Sequence, residues 1–242
     1  MKDFLYGEKL KIGLIYPCGG WVMEPEFYDM SPVGVSTYTT RVLLDNVNEN
    51  ELTKVGDRAI RATKLLCKAP VDIVALGCTS GSFIGGAKYD EELIKKMEKA
   101  SEGVPCLTTS SAVVAALKNL NIKKVALATP YTNDVNMRCK IFLEEYGFEI
   151  TNICGLGLTN DSEIDRQKLE VIYKLAKDAD TTDAEAVAIL CTGVRSIPIL
   201  QDLETDLGKP VISAVQATFW HCLCMAGVKE KISGYGSLLE SI

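Results

Sequence analysis

One arrangement occurs twice in this chain at a fixed separation. The run KIGLIYP (11–17) matches KVALATP (124–130), Lys11 against Lys124 and Pro17 against Pro130, 113 positions apart. IVALGCTS (73–80) matches AVAILCTG (186–193), and Cys78 and Cys191 are again 113 apart. A third pair, GVPCLTTSSAVVAAL and GKPVISAVQATFWHCL, sets Pro105 against Pro210 at a separation of 105. A shared offset over two segments implies a duplicated β-α-β-α-β unit.

The repeated pieces are short apolar runs, and helix-period segments lie between them, the pattern of an α/β fold with a mainly parallel sheet. Strands are expected at 11–17, 71–77, 104–109, 124–130, 184–191 and 209–214. Helices are expected in GDRAIRATKLLCKA, YDEELIKKMEKA, DVNMRCKIFLEEY and DRQKLEVIYKLAKDA. In the third, Val135, Cys139, Phe142, Leu143 and Tyr146 share one face. The second starts with acids and ends with lysines, as a helix macrodipole favours. The expected architecture is two pseudo-symmetric three-layer α/β lobes with the active site in the cleft between them. Residues 1–116 form the first lobe, completed by 215–242, and 117–214 form the second. The segment from Trp21 to Asn50 has no legible period and is read as a pocket-shaping loop.

A net charge of −6 with no basic cluster argues against nucleic-acid binding. No apolar run approaches the ~18–20 residues that span a bilayer. The opening MKDFLYGEKLKIGLIYP has acids before its apolar run and lacks a small-residue cleavage site, so no secretion signal is read and the expected location is cytoplasmic. Nine cysteines without framework spacing argue against a disulfide scaffold, and one histidine, His221, with no C-x-x-C argues against a zinc site. Cys67, Cys106, Cys139, Cys154, Cys222 and Cys224 lie in apolar surroundings and are read as small hydrophobes. His221, beside Trp220, is read as structural, and Asn133 and Asp134 as helix caps. GSFIGGA lacks the G-x-G-x-x-G spacing of a dinucleotide site. Cys18 is left open as a pocket residue.

Cys78 and Cys191 differ from the others because each follows a strand. In open parallel sheets ligands bind beyond the carboxyl ends of the strands. The N–H groups of Thr79–Ser80 and Thr192–Gly193 would be free to hold an anion there. A thiol in such a turn or helix start is expected to have its pKa lowered, to about 3.5–7.5 in known cases. One thiol on each side of a cleft suits a small carboxylate.

With GCTSGSFIGGA, ALATPYTNDVN, ILCTG, QATFWHCLCMAG and GYG in view, the chain resembles the aspartate/glutamate racemase superfamily, and more closely its arylmalonate decarboxylase and maleate cis-trans isomerase branch. The resemblance implies catalysis without metal or organic cofactor, through an enolate-like intermediate. It implies catalytic roles for Cys78 and Cys191, the former as base or nucleophile and the latter as partner acid. Thr79 and Ser80 match a first oxyanion turn, Thr192 and Gly193 a second, and Tyr131 a substrate-carboxylate tyrosine. Pro17 matches the place where the first strand opens into the pocket. The decarboxylases have glycine at the position of Cys78, so two cysteines point toward a maleate isomerase-like isomerase or racemase. Maleate isomerases usually have an asparagine after the first strand, where this chain reads YPCGGW. The alternatives are a decarboxylase of substituted malonates with Cys191 as proton donor, and a non-catalytic carboxylate-binding protein. A homodimer is also implied.

Overall fold

The repeat seen in the sequence returns as two sheets of identical strand order. The computed structural model describes residues 6–242; the reading of residues 1–5 as part of a chain start without a secretion signal lies outside them. The first lobe comprises β1 (Leu10–Pro17), α1 (Met23–Met30), β2 (Val35–Val42), α2 (Glu49–Leu52), α3 (Val55–Leu66), β3 (Ile73–Leu76), α4 (Thr79–Phe83), α5 (Gly86–Ala100), β4 (Cys106–Thr108) and α6 (Thr109–Asn119). The second comprises β5 (Lys124–Thr129), α7 (Asn133–Glu145), β6 (Glu149–Gly155), α8 (Asp161–Asp165), α9 (Leu169–Ala179), β7 (Ala186–Ile189), a 3-10 turn (Ile197–Ile199), α10 (Leu200–Leu207) and β8 (Val211–Ser213). Helices α11 (Ala214–Met225) and α12 (Ser237–Glu240) close the chain. The sheets run β2-β1-β3-β4 and β6-β5-β7-β8, parallel throughout.

The duplication extends to register. Ile12 faces Ile73 between β1 and β3, and Val125 faces Ala186 between β5 and β7, both members shifted by 113. Val74 faces Cys106 in one lobe and Val187 faces Val211 in the other. The equivalent helices α6 and α11 pack on each other, joined by the Thr218 hydroxyl donating to Thr109 Oγ1 at 3.1 Å. This places a pseudo-two-fold between the lobes. Phe27 on α1 meets Phe219 on α11 edge to face at 5.1 Å, so the C-terminal helix also packs against the first lobe.

Strands β3 and β7 are buried at every position, as parallel strands covered on both faces must be. That burial makes them legible as unbroken apolar runs. The two strands absent from the sequence reading, β2 (VSTYTTRV) and β6 (EITNICG), lie at sheet edges. Each pairs on one side only and is half-exposed, so polar residues interrupt its sequence, threonines above all in β2. The stretch from Trp21 to Asn50 is therefore mostly regular structure, α1 and β2, and not a loop.

After β4 and β8 the chain turns directly into a helix through matching capping boxes. Thr108 Oγ1 accepts from the Ser111 N–H and Ser213 Oγ accepts from the Gln216 N–H, both at 3.1 Å. Loss of such a cap costs about 1 kcal/mol. The copies differ in one respect: the Thr108 hydroxyl also donates to the buried Asp90 Oδ1 at 2.6 Å. In urea denaturation, Ser213→Ala is expected to lose about 1 kcal/mol. Thr108→Ala is expected to lose more, because it also strips a buried carboxyl of its donor. Equal losses would show that the Asp90 contact contributes nothing.

Candidate active site

In each sheet the connections leave in opposite directions from the central pair, β1 with β3 and β5 with β7, which makes the carboxyl ends of those pairs the switch points where open α/β sheets bind ligands. Pro17 ends β1, Cys78 lies two residues past β3, Tyr131 two past β5 and Cys191 two past β7. The four ends meet across the lobe boundary. The Thr192 hydroxyl donates to the Gly77 carbonyl at 3.0 Å, and the Tyr16 hydroxyl donates to the Thr192 carbonyl at 3.0 Å. Gly77 precedes Cys78 and Thr192 follows Cys191, so a single hydrogen bond holds together the backbone that carries the two thiols.

Each sulfur has a matched pair of donors. Cys78 faces the Gly81 N–H and the Ser80 hydroxyl. Cys191 receives the Gly193 N–H at 3.4 Å and lies against the Tyr131 hydroxyl. Burial nevertheless dominates. It pushes the Cys78 thiol up to about 12 and the Cys191 thiol higher still, and the negative charge of Asp161 raises both. The expected lowering of the thiol pKa is therefore overturned. The reasons are local. Cys78 caps a helix of only five residues, all buried, and Cys191 precedes a turn and not a helix. In this closed arrangement both sulfurs rest as neutral thiols, each with two donors in place for an anion that burial suppresses.

Cys191 stands at φ 152°, a region that favours glycine. Backbone held there costs of order 1–3 kcal/mol and persists only where its surroundings impose it. The turn that imposes it brings the Gly193 N–H onto the sulfur. Gly193 has no room for a side chain, because a Cβ there would lie 2.2 Å from Asp165 Oδ1.

Of the other residues singled out in the sequence, Thr79 and Tyr131 are buried with hydroxyls that have no partner. Tyr131 touches Cys191 without the alignment of a full hydrogen bond, senses the charge of Cys78, and rests edge to face on Phe83 at 6.0 Å. Ser80 is buried beside Cys78. Thr192 has its hydroxyl committed to Gly77. Pro17 is buried, and its carbonyl accepts from Arg41 Nη1 at 3.1 Å. Cys18 is exposed and outside this group, and Cys224 is exposed where burial was expected. Thr132, not Asn133 or Asp134, caps α7. His221 stacks on Trp220 with centroids 5.8 Å apart, away from the thiols. A separate cleft of about 520 Å³, lined in part by Val47, Asn48, Thr132 and Thr159, contains neither thiol. It is strapped by the Val47 N–H donating to the Thr159 carbonyl at 2.8 Å and by the Asn46–Asn160 bridge.

Three acids escaped the sequence reading. Asp161 and Asp165 bracket α8, and each has one buried oxygen without a partner. Burial raises Asp161 to about 6, helped by the charge of Asp45, and raises Asp165 to about 7 against the Trp21 N–H that donates to it at 2.8 Å. Glu26 crosses from α1 to accept from the N–H groups of Ser196 (2.7 Å) and Ile197 (3.1 Å), a second tie between the lobes. In sequence these acids sit among polar neighbours and look like a solvated face. Their one signal is proximity to turn residues after a strand or helix.

The family profile for arylmalonate decarboxylase matches residues 12–239. The chain belongs to the arylmalonate decarboxylase family. It is 32% identical to the arylmalonate decarboxylase of Bordetella bronchiseptica over 200 residues, covering 81% of this chain and 83% of that one. It is 26% identical to the maleate isomerase of Geobacillus stearothermophilus over 243 residues, 95% of this chain and 97% of the other. The fold matches a variant of the Nocardia farcinica maleate cis-trans isomerase with a covalently bound succinylcysteine intermediate, at a TM-score of 0.91, 21% identity, and coverage of 96% and 99%. Both branches that the sequence resembled are thus represented, one by higher identity and the other by fuller coverage.

The strained backbone at Cys191 leads to an inverted order of variants. Glycine at a buried, ordered position normally costs 0.5–1 kcal/mol relative to alanine. Here Cys191→Gly is expected to unfold at the same or higher temperature than Cys191→Ala, because it releases the φ constraint. A Cys191→Ala protein clearly more stable than Cys191→Gly would show that the turn holds no strain.

Proposed function

We propose that this protein is a cofactor-independent isomerase of a small carboxylic acid, acting in the manner of the maleate isomerases with Cys78 and Cys191 on opposite faces of one substrate. The observation that carries the reading is the pair of thiols at equivalent ends of β3 and β7, one residue either side of the Thr192–Gly77 hydrogen bond. The relative whose sulfur bears a succinyl group supports a covalent course.

The substrate carboxylate lies on the Thr79 and Tyr131 hydroxyls and the N–H groups of Ser80 and Thr192, with Gly193 beside them giving its N–H to the Cys191 sulfur. Preorganised donors of this kind contribute about 2.7–4 kcal/mol each where charge develops. Cys78 gives its proton to solvent before the site closes on the substrate, and its thiolate, held by Ser80 and Gly81, adds to the double bond. The carbon–sulfur bond forms as the π electrons move onto the carbon next to the carboxylate. Cys191 delivers its proton to that carbon, leaving a saturated thioether free to rotate about its new single bond. Cys191 then takes the proton back, the carbon–sulfur bond breaks, and the trans acid leaves with the Cys78 thiolate restored. Racemisation uses the same pair, one thiolate removing an α-proton and the opposite thiol returning one. Pro17 shapes the floor beside them. The proposal extends to a cytoplasmic homodimer. Nine unpaired cysteines fit a reducing compartment.

The higher identity to an arylmalonate decarboxylase supports a second reading, in which loss of CO₂ creates the enediolate and Cys191 alone protonates it. Assays in D₂O with maleate, chiral α-substituted acids and substituted malonates separate the two. Isomerisation or α-deuteration that falls ~10²–10⁴-fold in both Cys78→Ala and Cys191→Ala is the expected result. CO₂ release that survives Cys78→Gly and disappears in Cys191→Ala would replace the isomerase with the decarboxylase.

A further inference from the structure

The carboxylate end of the pocket is furnished with donors, and its other side is furnished with acids. Asp161 is 7% exposed and Asp165 fully buried, yet Asp161 Oδ2 and Asp165 Oδ1 have no hydrogen-bond partner. Both lie close enough to the thiols to act on them. The charge of Asp161 acts on Cys78 and Cys191 together, and that of Asp165 acts on Cys191. Asp165 Oδ1 is packed so closely on Gly193 that no side chain fits there, and Gly193 donates to the Cys191 sulfur. Asp161 Oδ2 lies 3.1 Å from where a Cβ of Gly19 would stand, in the turn after β1.

Nothing cationic compensates them fully. The charge of Arg41 acts on Asp165, but its N–H groups go to the carbonyls of Pro17 and Gly20 and to Glu24. Arg195 donates to the Gln167 carbonyl at 2.6 Å and lies over the Trp21 ring, leaving a single Nε–H without a partner. A buried carboxylate oxygen without a donor costs free energy comparable to a lost hydrogen bond to a charged group, so such oxygens persist where a ligand completes them. A second carboxylate on the substrate would meet like charge wherever the aspartates are ionised, as Asp161, held at about 6, is at neutral pH. An N–H or ammonium group would supply the kind of donor these oxygens lack. Two unpartnered hydroxyls, those of Thr79 and Tyr131, wait for the substrate's own carboxylate.

We infer that Asp161 and Asp165 read the far end of the substrate, and that the natural substrate is a small acid with one carboxylate and, at its other end, a nitrogen-borne hydrogen-bond donor such as an amide or ammonium group, not a dicarboxylate. This rests on the proposed isomerase site and narrows its substrate class. The probes are two pairs of compounds that differ only at the far end: maleate with its half-amide maleamate as reactants, and succinate with succinamate as saturated, unreactive ligands. Calorimetric titration of the wild-type protein is expected to give succinamate at least tenfold tighter than succinate. Turnover is expected to favour maleamate over maleate in kcat/KM by a similar factor. Asp161→Asn and Asp165→Asn, with melting temperatures checked against wild type, are expected to shift both ratios toward the dicarboxylate by tenfold or more, chiefly through KM.

Tighter binding of succinate, equal binding of the two, binding of neither, or ratios unmoved by both asparagine variants would overturn the inference. The isomerase reading is judged separately. Maleate turned over with succinate preferred in binding leaves that reading standing and removes this one. Succinamate preferred in binding, with no turnover of either reactant, does the reverse.

Discussion

The hydrogen bond from Thr192 to the Gly77 carbonyl fixes the relation between the two lobes at the point where both thiols emerge. Its net contribution is about 1 kcal/mol, but its loss would leave a buried carbonyl unpaired at a further cost of about 1–3 kcal/mol. Around it the lobes are tied again, by Tyr16 to the Thr192 carbonyl and by Glu26 to Ser196 and Ile197. All three contacts lie on the carboxyl-end side of the sheets. A duplicated α/β unit joined there must bring its switch points face to face, and whatever residue follows β3 has its counterpart after β7. Chemistry that needs two groups on opposite faces of a planar centre is well matched to that architecture.

Two opposing effects meet at the sulfurs. Each has an N–H and a hydroxyl aimed at it, which favour the thiolate, and each is sealed from water, which favours the thiol. Sealing wins in the closed arrangement. The neighbouring Asp161 and Asp165 push the same way and are themselves pushed toward protonation by burial. The site therefore holds its protons tightly on the two thiols, with the two aspartates titrating near neutrality beside them, until something rearranges its electrostatics. A ligand that brings its own donor to the aspartates would quiet their charge and lower the barrier to ionising a thiol beside them.

Buried parallel strands announce themselves as apolar runs, so β1, β3, β4, β5, β7 and β8 were legible, and the offset of 113 placed Cys78 and Cys191 in equivalent positions before any coordinates. The edge strands β2 and β6 were not legible, because they are half-exposed and show no unbroken apolar run, whereas the edge strands β4 and β8 are buried throughout. The turn residues Thr79, Ser80, Thr192 and Gly193 stand where the sequence put them, yet the Thr192 hydroxyl proves to be a lobe tie, which no local pattern could reveal. The thiol pKa was misjudged because the number of donors near a sulfur can be guessed from sequence, whereas the depth of its burial depends on the second lobe. Asp161 and Asp165 were missed for the same reason. Their burial comes from contacts with residues 19–21, far away along the chain.

The central claim is geometric, and a crystal structure with a saturated acid bound tests it most directly. The account predicts one ligand between the lobes, its carboxylate on Thr79 and Tyr131, with the Cys78 and Cys191 sulfurs on opposite sides of its α-carbon. A ligand seated in the outer cleft alone, or one that meets both sulfurs from the same side, would contradict it.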